Sequence, residues 1–284
     1  MNLFIVGVGY TAGRLIATQG SAFDGISGTV RSAEKGAQLT ALDIELFNGR
    51  AASPATLAKA AAADVILISA PPGPDGDDVL DAFAATISDG AARRVIYLST
   101  IGVYGDHGGA WIDEDTAPQP ELDRTASRLA VERRWRELLG DRLAVLRLAG
   151  IYGPGRNALL ELRRGRARRV AKPGQVFNRI HADDIARAIM GAIARDRGGL
   201  WNICDDEPAP PQEVIAYAAS LMGVAPPPEQ PFETADLSPM ARSFYASNRR
   251  VRNIRMKQEL GVTLAYPTYR AGLDALWQAG EGGT

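Results

Sequence analysis

The chain has 284 residues, 46% of them hydrophobic and 23% charged. This is the make-up of a globular protein long enough to bury a core without disulfide or metal staples. A single cysteine, Cys204, excludes a disulfide framework, and no spacing around it suggests a structural zinc. The formal net charge of −1 argues against nucleic acid as the main partner.

The first residues, Met1 to Val6, carry no basic run and lead straight into glycines. A signal peptide is therefore not expected, and a cytoplasmic location is. No apolar run approaches the ~18 residues that span a bilayer, so no membrane partner is expected either. Apolar, β-branched runs at Leu3 to Val8, Ile26 to Val30, Ile44 to Phe47, Val65 to Ser69, Val95 to Ser99 and Leu143 to Leu148 read as strands. Helical patterns lie between them, at Thr11 to Thr18, Pro54 to Ala61, Val79 to Ser88 and Thr125 to Leu139. Strands that are apolar throughout suit a parallel sheet covered on both faces. The alternation predicts an α/β, Rossmann-type doubly wound sheet. After Leu148 the pattern breaks into Gly- and Pro-rich turns and an Arg-rich stretch. A helix at Asp183 to Ala194 and a strand at Leu200 to Cys204 resume the sheet, and the proline-rich remainder reads as short helices and loops. Residues 1–149 plus 179–204 are expected to form a dinucleotide-binding domain, and 150–178 plus 205–284 a smaller substrate lobe.

Gly7-Val8-Gly9-Tyr10-Thr11-Ala12 falls between the first strand and the first helix. Gly7 permits a tight turn, Gly9 lets the backbone approach a pyrophosphate, and Ala12 allows close packing of helix on strand. The strand before it and the helix after it supply the context that a lone G-x-G-x-x-A lacks. The second strand ends in Arg31-Ser32 with no acid, where NAD sites place a carboxylate for the ribose 2′-hydroxyl. NADP is therefore expected over NAD. Tyr10 and Thr11 of the turn, Ser69-Ala70-Pro71 after the fourth strand, and Ser99 complete the expected cofactor set.

Tyr97-Leu98-Ser99-Thr100-Ile101-Gly102-Val103-Tyr104-Gly105, Leu146-Arg147-Leu148-Ala149-Gly150-Ile151-Tyr152-Gly153-Pro154-Gly155 and Asn178-Arg179-Ile180-His181-Ala182-Asp183-Asp184 occur in that order. On these motifs the chain resembles the NAD-dependent epimerase/dehydratase branch of the extended short-chain dehydrogenase/reductase superfamily, from Asn2 to about Cys204. The resemblance implies that Thr100 positions the reacting oxygen. It also implies a Tyr-x-x-x-Lys pair on the following helix, and there the chain departs. Arg124 and Arg128 stand at the two positions, and no tyrosine occurs between Gly105 and Leu148. Arg128 can still bind ribose hydroxyls, but a guanidinium that stays protonated cannot replace a tyrosine acid/base. Tyr104 is the substitute proton carrier ranked first, ahead of Tyr152. The alternative for both arginines is a solvated helix face beside Arg133 and Arg134.

Two function classes remain open. One is an NAD(P)-dependent oxidoreductase, epimerase or dehydratase acting on a small, perhaps nucleotide- or sugar-like molecule. The other is a non-catalytic NADP(H)-binding sensor. Residues 150–178 carry seven cations and one acid, and 242–257 six cations and none. An anionic substrate is therefore expected, held by Arg124, Arg179, Arg249 and Arg250, with Tyr152 nearby. Neither a metal nor a nucleic acid is expected, and a homodimer is left open.

Overall fold

The computed structural model describes residues 1–283 apart from 41, 50, 74 and 75. Strands and helices alternate through the first part of the chain, as β1 (Asn2–Val6), α1 (Tyr10–Gln19), β2 (Gly25–Val30), α2 (Ala33–Ala37), β3 (Asp43–Leu46), α3 (Pro54–Ala62), β4 (Val65–Ile68), α4 (Asp78–Asp89) and β5 (Arg94–Thr100). Next come β6 (Trp111–Ile112), α5 (Asp123–Leu139), β7 (Leu143–Leu148), β8 (Gly150–Tyr152), α6 (Ala158–Arg163), β9 (Arg169–Ala171), β10 (Arg179–His181), α7 (Ala182–Ala194) and β11 (Gly199–Ile203). The remainder holds α8 (Pro211–Leu221), β12 (Glu229–Pro231), α9 (Pro239–Ser243), β13 (Arg250–Val251), α10 (Ile254–Leu260) and α11 (Tyr269–Gln278).

Seven strands form one parallel sheet in the order β11-β7-β5-β4-β1-β2-β3. The expected α/β doubly wound architecture is the one observed. Alternate side chains of the central strands serve opposite faces. Leu3, Ile5, Leu67 and Leu146 pack with Leu15 of α1 and Ile185 and Ile189 of α7. Phe4, Val6, Ile68 and Val145 pack with Ala60 of α3, Phe83 of α4 and Trp135 of α5. This double burial is why the strands read as unbroken apolar runs. The strand order reverses between β1 and β4, the switch point at whose carboxyl edge open α/β sheets bind ligands.

β1 stops at Val6, two residues short of the predicted end, because Gly7 turns the chain at φ +88°. Six strands of two or three residues lie outside the runs that the sequence predicts: they pair in parallel as β6 with β13, β8 with β10 and β9 with β12. Such short pieces carry no period, and each partner lies far along the chain. The final part packs α8 and α11 on α6 through Leu159, Val214, Ala218, Leu273 and Leu276. A second small cluster joins Val170, Phe177, Phe232, Ala235, Leu237 and Tyr245. Among the described residues, no helix is long and apolar enough to cross a membrane.

Candidate functional site

The glycine turn is built as a phosphate cradle requires. Gly7 donates its amide to Thr29 Oγ1 (3.0 Å), and a Cβ at Gly7 would lie 3.0 Å from the Ala70 nitrogen. Gly9 heads α1 with no side-chain cap and no acid in the first turn. A Cβ at Gly9 would meet only the Gly7 carbonyl, at 4.0 Å, so the space before the helix is open. The first amides of α1, from Tyr10, Thr11 and Ala12, are thus available to an anion. Ala12 is fully buried. The chain after β4 wraps this turn, with the Ser69 and Ala70 amides donating to the Val6 carbonyl (3.0 and 3.1 Å). These features fit a dinucleotide pyrophosphate.

At the end of β2, Arg31 is exposed and has no carboxylate partner among the described residues. Ser32 caps α2 by accepting from the Lys35 amide (3.3 Å). Arg31 shares a small slot of about 30 Å³ with Gly7, Ala70, Pro71 and Asp78. Asp78, from the start of α4, is an acid at this slot that the β2 sequence could not reveal.

Pro71 also lines a much larger cleft of about 810 Å³, so slot and cleft adjoin. Thr100, Arg124, Arg128, Tyr152, Arg179 and Arg249 meet in this cleft, joined by Arg156 and Arg168. Glu121 is the acid among its described lining residues. Thr100 Oγ1 accepts from the Gly102 amide (3.0 Å), which fixes its rotamer at the end of β5. Arg128 donates to the Leu98 carbonyl (2.8 Å). Arg124 donates to Ser243 Oγ (3.0 Å) and lies over the Phe244 ring at 5.1 Å. Arg179 donates to the Phe177 and Ala209 carbonyls (2.9 and 3.1 Å). Arg249 donates to the Gly105 carbonyl and Ser247 Oγ, leaving its Nε unpartnered among the described residues. Only Arg168 of the six arginines has a carboxylate within 4.0 Å, Asp236 at 3.7 Å, among the described residues. Beside Arg179, burial pushes the Asp205 carboxyl well above the carboxylate range, with Arg179 opposing the shift. The same burial makes the Arg179 proton less tightly held than usual.

Three candidates lie elsewhere. Tyr104 is fully buried below the cleft, donates to Asn202 Oδ1 (2.8 Å) and carries the Arg147 guanidinium over its ring at 4.7 Å. Ser99 is turned into the core, where its hydroxyl donates to Glu132. Arg250 donates to the Gly109 carbonyl and does not line the cleft. The cause is common to all three, since buried polar atoms and loop carbonyls need partners and these residues are spent on them.

Two tyrosines do line the cleft. Tyr152 donates weakly to the Thr268 carbonyl (3.4 Å), and burial raises its pKa. Tyr245, which the sequence reading missed, is also raised by burial, against the opposing charge of Arg179. Burial thus holds both phenols neutral and makes them weaker acids, able to donate a hydrogen bond. Nothing in the spacing of Ser243-Phe244-Tyr245 marks Tyr245 as a site residue; only the fold brings it in. Burial likewise lowers the His181 pKa, while its Nδ1 caps α7 by accepting from the Asp183 amide (3.2 Å). Cys204 is buried, its thiol donating to the Val251 carbonyl (3.3 Å).

No family model matches the chain. Protein YeeZ of Escherichia coli strain K12 is 32% identical over 178 residues, 58% of this chain and 61% of that protein. A 3-diazoavenalumate denitrifying reductase of a Streptomyces species is 28% identical over 200 residues, 64% of each chain. The chain thus spans less than two thirds of the length of these curated relatives. Among solved structures, a functionally unknown conserved protein from Silicibacter pomeroyi is 45% identical with a TM-score of 0.89, covering 99% of both chains. MoeE5 in complex with UDP-glucuronic acid and NAD is 20% identical with a TM-score of 0.76, covering 96% of this chain and 97% of that one. Human epimerase family protein SDR39U1 with NADPH is 15% identical with a TM-score of 0.74, covering 98% and 99%. At these last two identities the likeness is one of fold.

Proposed function

The chain belongs to one family with the Silicibacter pomeroyi protein, and on that premise we propose that it is an atypical member of the extended short-chain dehydrogenase/reductase superfamily, an NAD(P)-dependent oxidoreductase or epimerase acting on a small organic anion. One observation carries the reading: among the described residues, an 810 Å³ cleft beside the glycine turn is lined by six arginines against a single glutamate. Arginine suits bidentate binding of carboxylate or phosphate. The fold neighbours with bound NAD or NADPH support the cofactor half of the proposal.

In this reading Gly7, Gly9 and the amides of Tyr10, Thr11 and Ala12 hold the pyrophosphate, with Ser69, Ala70 and Pro71 closing over it. Arg31 and Ser32 meet a 2′-phosphate, and Arg128 meets the ribose. When bound, the nicotinamide supplies or accepts a hydride. Thr100 orients the reacting oxygen, and Arg124, Arg179 and Arg249 neutralise the substrate's charge. A neutral phenol of Tyr152 or Tyr245 donates a hydrogen bond to the reacting oxygen, in place of the absent helix tyrosine. The sensor reading has one specific support: Arg124, at that tyrosine's position, is pinned to Ser243 and Phe244.

Titrating NADPH and NADH against wild type and Arg31→Ala tests the cofactor half. NADPH is expected to bind more tightly, and the variant to lose most of the difference. Equal affinities in wild type would point to Asp78 as the group that decides. Oxidation of bound NADPH by a panel of carboxylated carbonyl compounds then separates enzyme from sensor.

A further inference from the structure

The cleft's chemistry narrows the substrate beyond its charge, a step that rests on the anionic reading above. Asn178 is the one carboxamide among the described lining residues, and it is committed at both ends. Its Nδ2 donates to the Arg249 carbonyl (3.0 Å) and its Oδ1 accepts from the Val251 amide (2.8 Å). Thr125 Oγ1 is likewise spent on Leu122, donating to its carbonyl (2.8 Å). Ser243 Oγ donates to the Met240 carbonyl (2.7 Å) while accepting from Arg124. Nucleobase edges and a row of sugar hydroxyls need free, directional partners, and each group left unpaired loses affinity. The cleft offers few.

It offers aromatic wall instead. Phe177 meets Tyr245 edge-on with ring centroids 5.1 Å apart, and Phe232 stacks behind Tyr245 at 5.0 Å. Val170, Val176 and Leu237 fill the space beside them. Phe244, 56% exposed, stands at the rim beneath the Arg124 guanidinium. Among the described residues, Arg124, Arg179 and Arg249 have no carboxylate within 4.0 Å. Apolar walls with a few convergent charges suit a ligand of the same pattern.

We infer that the substrate is an aromatic carboxylate, its ring against Phe177, Tyr245 and Phe244 and its carboxylate on the cleft arginines, rather than a sugar nucleotide.

Calorimetric titration of the NADPH-loaded full chain with trans-cinnamate, trans-cinnamamide and UDP-glucuronic acid tests this. Cinnamate is expected to bind at least about ten-fold more tightly than either of the others, the bidentate ion pair separating it from its amide. Phe244→Ala, a rim substitution that leaves the core intact, is expected to weaken cinnamate about five-fold with NADPH affinity unchanged. Tighter binding of UDP-glucuronic acid than of cinnamate would overturn the aromatic class while leaving the anionic reading standing. Equal binding of acid and amide would overturn the anionic reading and this inference with it. Unchanged cinnamate affinity in Phe244→Ala and in Tyr245→Leu, or no binding of any of the three, would also overturn it.

Discussion

Gly7 and Gly9 sit two residues apart in one turn yet answer to different constraints. Gly7 needs its positive φ, and a side chain there would press on the Ala70 backbone. Gly9 has φ −96°, open to any residue, and its Cβ direction is empty. Gly9→Val is therefore expected to fold with a stability change of only about 0.5–1 kcal/mol. It is expected to lose NADPH and NADH alike, because the added side chain fills the pyrophosphate's space. Melting temperature and cofactor titration, measured on one preparation, check both halves. Asp205 is the second residue with a readable consequence. It is 2% exposed, one carboxyl oxygen has no partner among the described residues, and burial raises its pKa. A carboxyl raised in the folded state contributes stability below its unfolded pKa of about 3.9 and loses it as pH rises through the folded value. Asp205→Asn removes that loss and keeps an acceptor for the Glu207 amide. The variant should match wild type near pH 4 and exceed it at pH 8 by on the order of 1 kcal/mol. Destabilisation at pH 8 would mean that the charge of Asp205 is what holds Arg179.

α5 is the element that unites core and site. Arg124, Arg128 and Glu132 are spaced four apart, hence on one face, which runs from the open cleft at exposed Arg124 through half-buried Arg128 to the core at Glu132. Glu132, 5% exposed, makes an ion pair with Arg147 at 2.7 Å, which is 4% exposed. The Glu132 carboxylate also accepts from the hydroxyl of Ser99, the residue before Thr100, and Arg147 lies over the Tyr104 ring. Replacing one partner of a buried pair leaves the other charge stranded, at a cost of about 3–5 kcal/mol. Glu132→Gln is expected to fall in that range by denaturant unfolding, whereas Arg133→Gln, on the solvent side, should change stability by less than about 0.5 kcal/mol. Similar losses from both would show that the pair is solvated in solution. A polar residue facing a core breaks the apolar period that sequence reading relies on. That is why a solvated face for Arg124 and Arg128 stayed an open alternative, while the helix itself was legible from its length and composition.

At the scale of the whole molecule, a net charge of −1 conceals a strongly basic cleft. Anion binding there should depend on salt more than the overall charge suggests, because screening acts on the local field. Cinnamate affinity is expected to fall several-fold between low salt and about 0.5 M salt, while cinnamamide stays level. Equal salt dependence of the two would assign the binding to the apolar walls alone.

The sequence by itself determined the parallel sheet, its order of elements and the glycine turn. Each is written locally: double burial makes a strand uniformly apolar, and a tight turn demands glycine at a fixed offset. It also told that arginine would dominate the substrate side, since charge can be counted without coordinates. Only the tertiary structure decided which arginines face the cleft. Arg124 reaches Ser243 across 119 residues of chain, Arg249 reaches Gly105 across 144, and Tyr10 reaches Pro154 across 144. Tyr104 and Tyr245 make the point together. The first lies in a recognisable motif, yet the fold buries it under Arg147, and the second carries no local signal, yet the fold lines the cleft with it. A side chain's partner depends on which distant segments the packed sheet brings within a few ångströms, and no local pattern encodes that.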